Sequence, residues 1–244
     1  MPLAPRILRS PAVVAAAAAT VVVALSGCQV KEKDANLVAG KQLFVAKCGS
    51  CHTLNRAGTK GTVGPNLDDA FRQDLADGFK RDTFRGLIRH QILYPRLNSA
   101  MPAKLVTGGR VDDIAAYVAR VATLTGKDTG LLATAVKAAG AGKPAIEASG
   151  TLEIDADPTG QLAYVTKQAQ GTPGSVVIKS KNASSTDHNI ALEGNGVSAK
   201  GAVVKNGGVS QVSVKLKAGT YTFFCTVDGH RAAGMQGKLV VKKK

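Results

Sequence analysis

Residues 221–235 read YTFFCTVDGHRAAGM, in which four residues separate a cysteine from a histidine and four more separate that histidine from a methionine. Cys225 is the only cysteine after residue 51, and the 244-residue chain holds just four histidines and three methionines. Three scarce residue types therefore share one short loop. The run that precedes Cys225, TYTFFC, alternates in polarity as a half-buried β strand does.

The rest of the C-terminal half has the same texture. Short runs with a period of two residues are bounded by Gly, Asn and Asp, as is typical of strands joined by turns. They are TLEID, AYVTK, SVVIKSK, HNIALE, SQVSVKL, TYTFFC and GKLVVK. Strands of this number and length predict an all-β sandwich over residues 151–244.

The scarce residues of this half form a metal-ligand set. His188, in DHNIAL, precedes Cys225, His230 and Met235. Two imidazoles, one thiolate and a weak axial thioether are the ligands of a blue (type 1) copper centre, because sulfur suits Cu(I) and imidazole accepts Cu(II). The alternatives are a zinc site, or a buried structural cysteine and methionine beside a surface histidine.

Residues 151–244 resemble the cupredoxins, and the Cys225–Met235 loop is most similar to the auracyanin and azurin-like types. The resemblance implies a Greek-key sandwich that binds type 1 copper. Asn189 and Thr226 also match the family, in which these two positions tie the ligand loops together.

A second motif, CGSCH at residues 48–52, has the spacing of a c-type haem attachment site. Cys48 and Cys51 would bind the haem vinyl groups covalently, and His52 would ligate the iron. A thioredoxin-like disulfide would need a βαβ pattern around it, and a zinc site would need a second Cys/His pair nearby. Neither pattern surrounds this motif.

The residues around CGSCH predict helices. The segments ANLVAGKQLFVAKC, TFRGLIRHQIL and RVDDIAAYVARVATL place apolar residues at helical intervals. The last of these has two aspartates in its first turn, where the helix dipole favours acidic side chains. Residues 36–126 are therefore predicted to form an all-α domain.

This segment resembles class I cytochrome c. The matching residues are Gly40 and Phe44 in the first helix, Cys48, Cys51 and His52, the turn GPNL at 64–67, Met101-Pro102, and Tyr117 in the last helix. The resemblance implies that Met101 is the second axial ligand and that the Pro65 carbonyl accepts a hydrogen bond from His52. His90 is the rival ligand, but it lies on a basic helical stretch typical of a solvated surface.

The N-terminus predicts export. Residues 1–27 combine an early positive charge with an apolar run, as a signal peptide does, and LSGC at 25–28 resembles a bacterial lipobox. We expect Cys28 to be acylated and residues 28–35 to be a tether, so that the protein is lipid-anchored outside the cytoplasmic membrane, in the periplasm or at the cell surface. An uncleaved anchor helix or an ordinary signal peptide are the alternatives. The three remaining cysteines are an odd number, so the alternative to cofactor roles is one disulfide and one free thiol.

Residues 127–150 are rich in Ala and Gly and predict a linker between the domains, with at most one short helix. Basic residues outnumber acidic ones on both sides of it, 16 to 9 over residues 29–127 and 12 to 6 over residues 151–244. For an exported protein, this charge favours anionic lipid and redox proteins with acidic docking faces, rather than nucleic acid. A quinol-oxidising complex, a terminal oxidase or a reductase are such partners.

The histidine count argues against an enzyme. His52, His188 and His230 account for three of the four histidines, whereas a catalytic copper would need several more. With His/Met ligation, the haem iron would have no open position for a substrate. We therefore expect an electron carrier that exchanges single electrons between haem c, type 1 copper and external partners. An electron-entry subunit of a nitrite reductase or terminal oxidase, and a copper-delivery protein, remain as alternatives.

Overall fold

The computed structural model describes residues 35–243. The predicted signal peptide, Cys28 and the tether up to residue 34 lie outside the described residues. Within the described part of the chain, no helix is both long enough and apolar enough to cross a membrane.

The N-terminal half is helical, as predicted. Its long helices are α1 (Leu37–Lys47), α4 (Arg81–Leu93) and α5 (Gly109–Val121). Shorter elements complete it, namely β1 (Thr53–Leu54), a 3-10 turn (Asn55–Ala57), β2 (Thr59–Lys60), α2 (Leu67–Ala70) and α3 (Arg72–Ala76). The antiparallel pair of β1 and β2 was not predicted.

Helices α1 and α5 cross at a glycine. A Cβ atom on Gly40 would lie 2.1 Å from the carbonyl oxygen of Asp113 and 2.9 Å from the Cβ of Tyr117, so only glycine allows this approach. One turn further along α1, the ring of Phe44 packs against that of Tyr117 at a centroid distance of 6.4 Å. The first and last long helices of the helical domain thus pack together around one apolar core.

The C-terminal half is a β-sandwich, which confirms the predicted order of a helical domain and then a β domain. Its strands are β3 (Ala145–Ile146), β4 (Thr151–Glu153), β5 (Gln168–Gly171), β6 (Gly174–Lys181), β7 (Ala191–Gly194), β8 (Val197–Lys200), β9 (Val209–Leu216), β10 (Gly219–Phe224) and β11 (Gln236–Val241). One sheet has the order β3-β5-β11-β10-β7-β8 and the other the order β4-β6-β9. The pairs β3–β5, β5–β11 and β4–β6 are parallel.

A single apolar core fills the space between the sheets. Leu152 and Ile178 enter it from the three-stranded sheet, and Leu192, Phe223 and Leu239 enter it from the six-stranded sheet. The alternation of buried and exposed residues along β6 and β9 follows the period-two pattern from which these strands were predicted.

One predicted strand was wrong. The run AYVTK at 163–167 does not form a strand, and β5 begins directly after it. Tyr164 is buried and its hydroxyl donates to the carbonyl of Asn189 at 2.7 Å, while the N–H of Val165 bonds the carbonyl of Asp155. These separate partners replace a continuous ladder, so the apolar run is a bent connection.

Residues 127–150, predicted to be a linker, contribute to both domains. The segment carries the short helix α6 (Leu131–Thr134) and strand β3. Lys41 on α1 donates to the carbonyl of Leu132 at 2.8 Å, and β3 pairs with β5 of the large sheet. Hydrogen bonds therefore hold its first part to the helical domain and its last part to the sandwich.

Candidate functional sites

The CGSCH motif lies where α1 ends. Cys48 caps the helix, and the N–H groups of Cys51 and His52 donate to the Cys48 carbonyl at 3.1 and 2.9 Å. This turn places all three side chains on the wall of a cavity of about 480 Å³ within the helical domain. Apolar residues from several elements line the rest, among them Phe44, Leu67, Phe71, Ile88, Ile92, Ile114 and Val118.

The ring of His52 is fixed by the turn that follows it. His52 Nδ1 lies 2.9 Å from the carbonyl oxygen of Pro65, and because a carbonyl only accepts, Nδ1 carries the proton. This leaves Nε2 as a free base that can bind a metal. A Cβ atom on Gly64 would lie 2.4 Å from His52 Cε1, so the ring occupies space that only glycine leaves.

The structure brings Met101 to the same cavity and leaves His90 outside its lining. The side-chain amide of Gln91 lies 3.7 Å from Met101 Sδ. His90 is exposed, and its ring lies 5.2 Å from that of Tyr94. Of the two rivals for the second axial position, only Met101 lines the cavity that holds His52.

Cys48 and Cys51 are both free thiols. Burial, with a smaller contribution from Cys51, raises the pKa of the Cys48 thiol to about 12. An apolar cavity, two thiols and an oriented imidazole fit a covalently bound haem.

The second site lies in the sandwich. His188, Cys225 and His230 are all buried, and each offers a ligand atom within 4.8 Å of the others. The Cys225 sulfur is 3.5 Å from Nδ1 of His230, and the two imidazole rings are 5.0 Å apart between centroids. Within residues 35–243, this is the one group of three or more His, Cys, Asp or Glu side chains close enough to hold a metal ion.

The ring of His188 is the part of this cluster whose hydrogen-bonding capacity is unfilled. Both of its ring nitrogens are buried and have no hydrogen-bond partner, although an unpaired buried polar atom costs about 1–3 kcal/mol. Burial, and then the neighbouring His230, lowers the pKa of His188 to about 4. The ring is therefore a neutral base at pH 7, the form that binds a metal.

Burial also favours the neutral forms of the other two side chains, His230 and Cys225. It lowers the pKa of His230 and raises that of Cys225, although N–H groups of Asn189 and Val227 oppose the second shift. Two neutral imidazoles and a buried sulfur, with unpaired nitrogens among them, fit a copper ion.

Met235 closes the loop beside Cys225. The N–H of Cys225 donates to the Met235 carbonyl at 3.1 Å, and the N–H of Met235 donates to the His230 carbonyl at 2.9 Å. The Met235 side chain is fully buried in the same core cluster as Cys225. The backbone thus holds the three residues of the opening motif in one closed turn.

Asn189 joins the loop of His188 to the loop of Cys225. Its side-chain oxygen accepts from the N–H of Thr226 at 2.8 Å, and its amide nitrogen donates to the Thr226 hydroxyl and the Gly201 carbonyl, both at 2.9 Å. These bonds are the tie between loops that the cupredoxin resemblance implied.

Arg231 is a further residue of the site that the sequence did not single out. Its guanidinium binds both carboxylate oxygens of Glu193, at 2.5 and 3.3 Å, and stacks 4.0 Å from the ring of Phe224. Its Nε also donates to Gln236 at 3.2 Å. Because Arg231 follows His230 directly, this cluster anchors the short helix α7 (His230–Ala233) to β7 and β10.

Each half of the chain matches one known family. Residues 35–118 match the family model described as "Cytochrome C oxidase, cbb3-type, subunit III", and residues 151–242 match the model described as "Copper binding proteins, plastocyanin/azurin family". Among solved structures, the dithionite-reduced auracyanin of Roseiflexus castenholzii is 25% identical, with 39% of this chain and 99% of that chain covered and a TM-score of 0.35. Auracyanin A of Chloroflexus aurantiacus is 26% identical, with 38% and 98% covered and a TM-score of 0.34.

Proposed function

Because this chain joins a cytochrome c domain to a cupredoxin domain, whose cofactors are haem c and type 1 copper, we propose that it is an electron carrier. It passes single electrons between its two centres and exchanges them with external redox proteins. Both cofactors change oxidation state by one electron without the making or breaking of a substrate bond. The chain itself is not an enzyme.

The residues of the helical domain have distinct roles in this proposal. Cys48 and Cys51 would attach the haem covalently, and His52 and Met101 would ligate its iron. The Pro65 carbonyl, 2.9 Å from His52 Nδ1, keeps the ring in one tautomer and one orientation. The apolar lining of the cavity excludes water from the iron.

In the sandwich, His188, Cys225 and His230 would bind copper, with Met235 as a fourth ligand. The observation that carries this assignment is the buried His188 ring with both nitrogens unpaired beside Cys225 and His230. Hydrogen bonds of Asn189 and Arg231 hold the loops that carry these ligands in place. A site that keeps one geometry in both oxidation states lowers the reorganisation that electron transfer requires.

The location and partners belong to the same proposal. Acylation of Cys28 would anchor the protein outside the cytoplasmic membrane. The excess of basic residues in both halves of the chain favours redox partners with acidic docking faces. A quinol-oxidising complex as donor and a terminal oxidase or reductase as acceptor fit this charge.

A stepwise reductive titration of the mature, haem- and copper-loaded protein tests the proposal. We expect the absorption bands of a c-type haem together with an intense blue thiolate-to-copper band, both bleaching with one electron each. Their order of bleaching gives the downhill direction. Haem bands without a blue band, despite bound copper, would contradict the type 1 assignment.

One observation favours a second candidate function. The helical domain matches a family model described as a subunit of a cbb3-type oxidase, so the chain is alternatively a fixed electron-entry subunit of such an assembly. Gentle solubilisation and purification under rising salt separates the two. A carrier dissociates from its partner as salt screens their charges, whereas a subunit co-purifies with the oxidase.

A further inference from the structure

Three loops at one end of the sandwich contact the end of the helical domain that carries CGSCH. Lys47 Nζ lies 3.5 Å from the Ser185 hydroxyl. A Cβ atom on Gly229 would lie 3.2 Å from Thr62 Oγ1, and one on Gly160 would lie 2.9 Å from the carbonyl oxygen of Ala46. We call this set of contacts the interdomain face.

We propose that the interdomain face is a fixed electron-transfer interface, at which the copper end of the sandwich is docked permanently on the haem-attachment end of the helical domain. This inference rests on the proposed function, since it assumes that the two sites hold haem and copper.

The contacting residues are the sequence neighbours of the predicted ligands. Lys47 directly precedes Cys48, and Gly229 directly precedes His230. Ser185 lies three residues before His188. Thr62 is two residues from Gly64, the glycine that makes room for the ring of His52. The interface therefore brings together the two loops that hold the redox ligands, rather than remote surfaces.

The approach of the two domains depends on glycine. Gly160 and Gly229 have φ angles of +84° and +76°, in the left-handed region that glycine adopts most readily. With no side chain at either position, the backbone of the sandwich comes within van der Waals distance of the helical domain. At these two positions, no side chain of the sandwich stands between the two domains.

The connecting segment is held on both sides of this interface. Gln42 on α1 donates to the Ala135 carbonyl at 3.0 Å, and Gln161 of the sandwich donates to the Lys137 carbonyl at 3.0 Å. A single residue of the connection, Val136, thus separates a bond to one domain from a bond to the other. So short a span leaves little freedom for the domains to swing apart.

The electron exchange across this interface needs no oxidant or reductant from outside the chain. One electron lost by the reduced iron is gained by Cu(II), or one lost by Cu(I) is gained by Fe(III), and no proton or covalent bond changes. Because the domains are already docked, the exchange requires no diffusional step. Its rate constant should therefore be independent of solvent viscosity and of protein concentration.

Kinetics of the full, loaded chain test the interface. One centre is reduced by a flash-generated reductant, and the electron's redistribution is followed in the haem and copper bands. The Thr62→Arg variant, which places a bulky side chain beside Gly229, should slow the redistribution several-fold, because it moves the haem and copper centres apart. The matched control is Thr83→Arg, at an exposed position on α4, and it should leave the rate unchanged. A wild-type rate that falls in proportion to viscosity, or equal rates for the two variants, overturns the proposal.

Electron spin relaxation provides a readout that does not depend on turnover. In the docked arrangement, oxidised paramagnetic haem should shorten the relaxation time of Cu(II), and reduction of the haem to its diamagnetic form should remove that effect. Thr62→Arg should weaken the effect, and Thr83→Arg should preserve it. If the optical titration shows both bands but no such effect appears, the interface is wrong and the proposed function stands. If the bands themselves are missing, the proposed function is wrong.

Discussion

A single buried amide ties the two halves of the copper-ligand set together. In Asn189→Ala, the N–H of Thr226 and the carbonyl of Gly201 lose their bonds to the side chain. We expect the copper-free sandwich to lose about 2–4 kcal/mol of unfolding free energy, because each unpaired buried group costs about 1–3 kcal/mol. Denaturant titration of the copper-free protein measures this loss. Thr226→Ala is the control, since it removes only the hydroxyl contact at 2.9 Å, and an equal loss in both variants would contradict the assigned role.

Buried histidine makes the copper-free protein sensitive to acid. Burial and His230 lower the pKa of His188 from 6.5 to about 4 in the folded state, whereas the unfolded chain binds a proton near the ordinary value. The contribution of His188 to the free energy of unfolding is therefore fully present above about pH 6.5. It falls by about 3 kcal/mol as the pH drops towards 4. Denaturant titrations at several pH values measure the loss. His188→Asn should reduce it, while the same substitution at the exposed His90 serves as the control, and identical pH profiles for the two variants would count against the prediction.

At the scale of elements, helices α1 and α5 can cross this closely only because residue 40 is a glycine and carries no Cβ atom. In Gly40→Ala, the new Cβ would meet the Asp113 carbonyl oxygen at 2.1 Å, so the helices must separate. We expect a loss of about 1–3 kcal/mol, the usual cost of overpacking a core. Gly86→Ala on α4 is the matched control, because nothing lies within 4 Å of its Cβ position. That change should raise stability by up to about 1 kcal/mol through helix propensity. Thermal unfolding of both variants decides the point, and a Gly40→Ala protein as stable as the wild type would refute it.

Periodicity predicted the elements whose pattern is local. The helices α1, α4 and α5 and the long strands β6 and β9 form where the spacing of their apolar residues predicts them. Residues 163–167 have an equally apolar pattern, but the Tyr164 hydroxyl bonds a carbonyl 25 residues away. Long-range partners of this kind decide between a strand and a bent connection, and no local pattern encodes them.

In the two sites as well, contiguous motifs could be predicted from the sequence, whereas contacts between distant residues could not. The CGSCH motif and the Cys225–Met235 loop are contiguous in sequence, so their chemistry could be predicted from spacing alone. The clamp of Arg231 on Glu193 joins residues 38 positions apart and has no local pattern. The close approach at Gly160 and Gly229 was equally hidden, because a glycine in a turn looks the same whether its surroundings are solvent or another domain.

At the scale of the whole molecule, a buried carboxylate attaches the connecting segment to the helical domain. The side chain of Asp128 is 2% exposed, and its oxygens lie 3.0 Å from Lys41 Nζ and 3.6 Å from a guanidinium nitrogen of Arg56. The hydroxyl of Tyr117 donates to the same carboxylate at 2.9 Å. Burial, reinforced by this carboxylate, raises the pKa of Tyr117 well above its usual range. The phenol therefore remains a donor at any pH the protein meets.

Asp128→Asn keeps the size of this side chain and removes its charge, so that the buried Lys41 and the partly buried Arg56 lose their counter-ion. We expect the helical domain to lose about 3–5 kcal/mol, because breaking a buried ion pair from one side leaves the other charge uncompensated. The control is Asp69→Asn, whose pair with Arg72 is about two-thirds exposed and should contribute at most about 1 kcal/mol. Denaturant unfolding monitored at the haem band measures both losses.

Because Asp128 lies at the start of the segment that leads to the interdomain face, its loss should also make the redistribution of electrons depend on viscosity. A destabilised Asp128→Asn protein with a viscosity-independent rate would show that the interdomain contacts hold the domains together without the connecting segment.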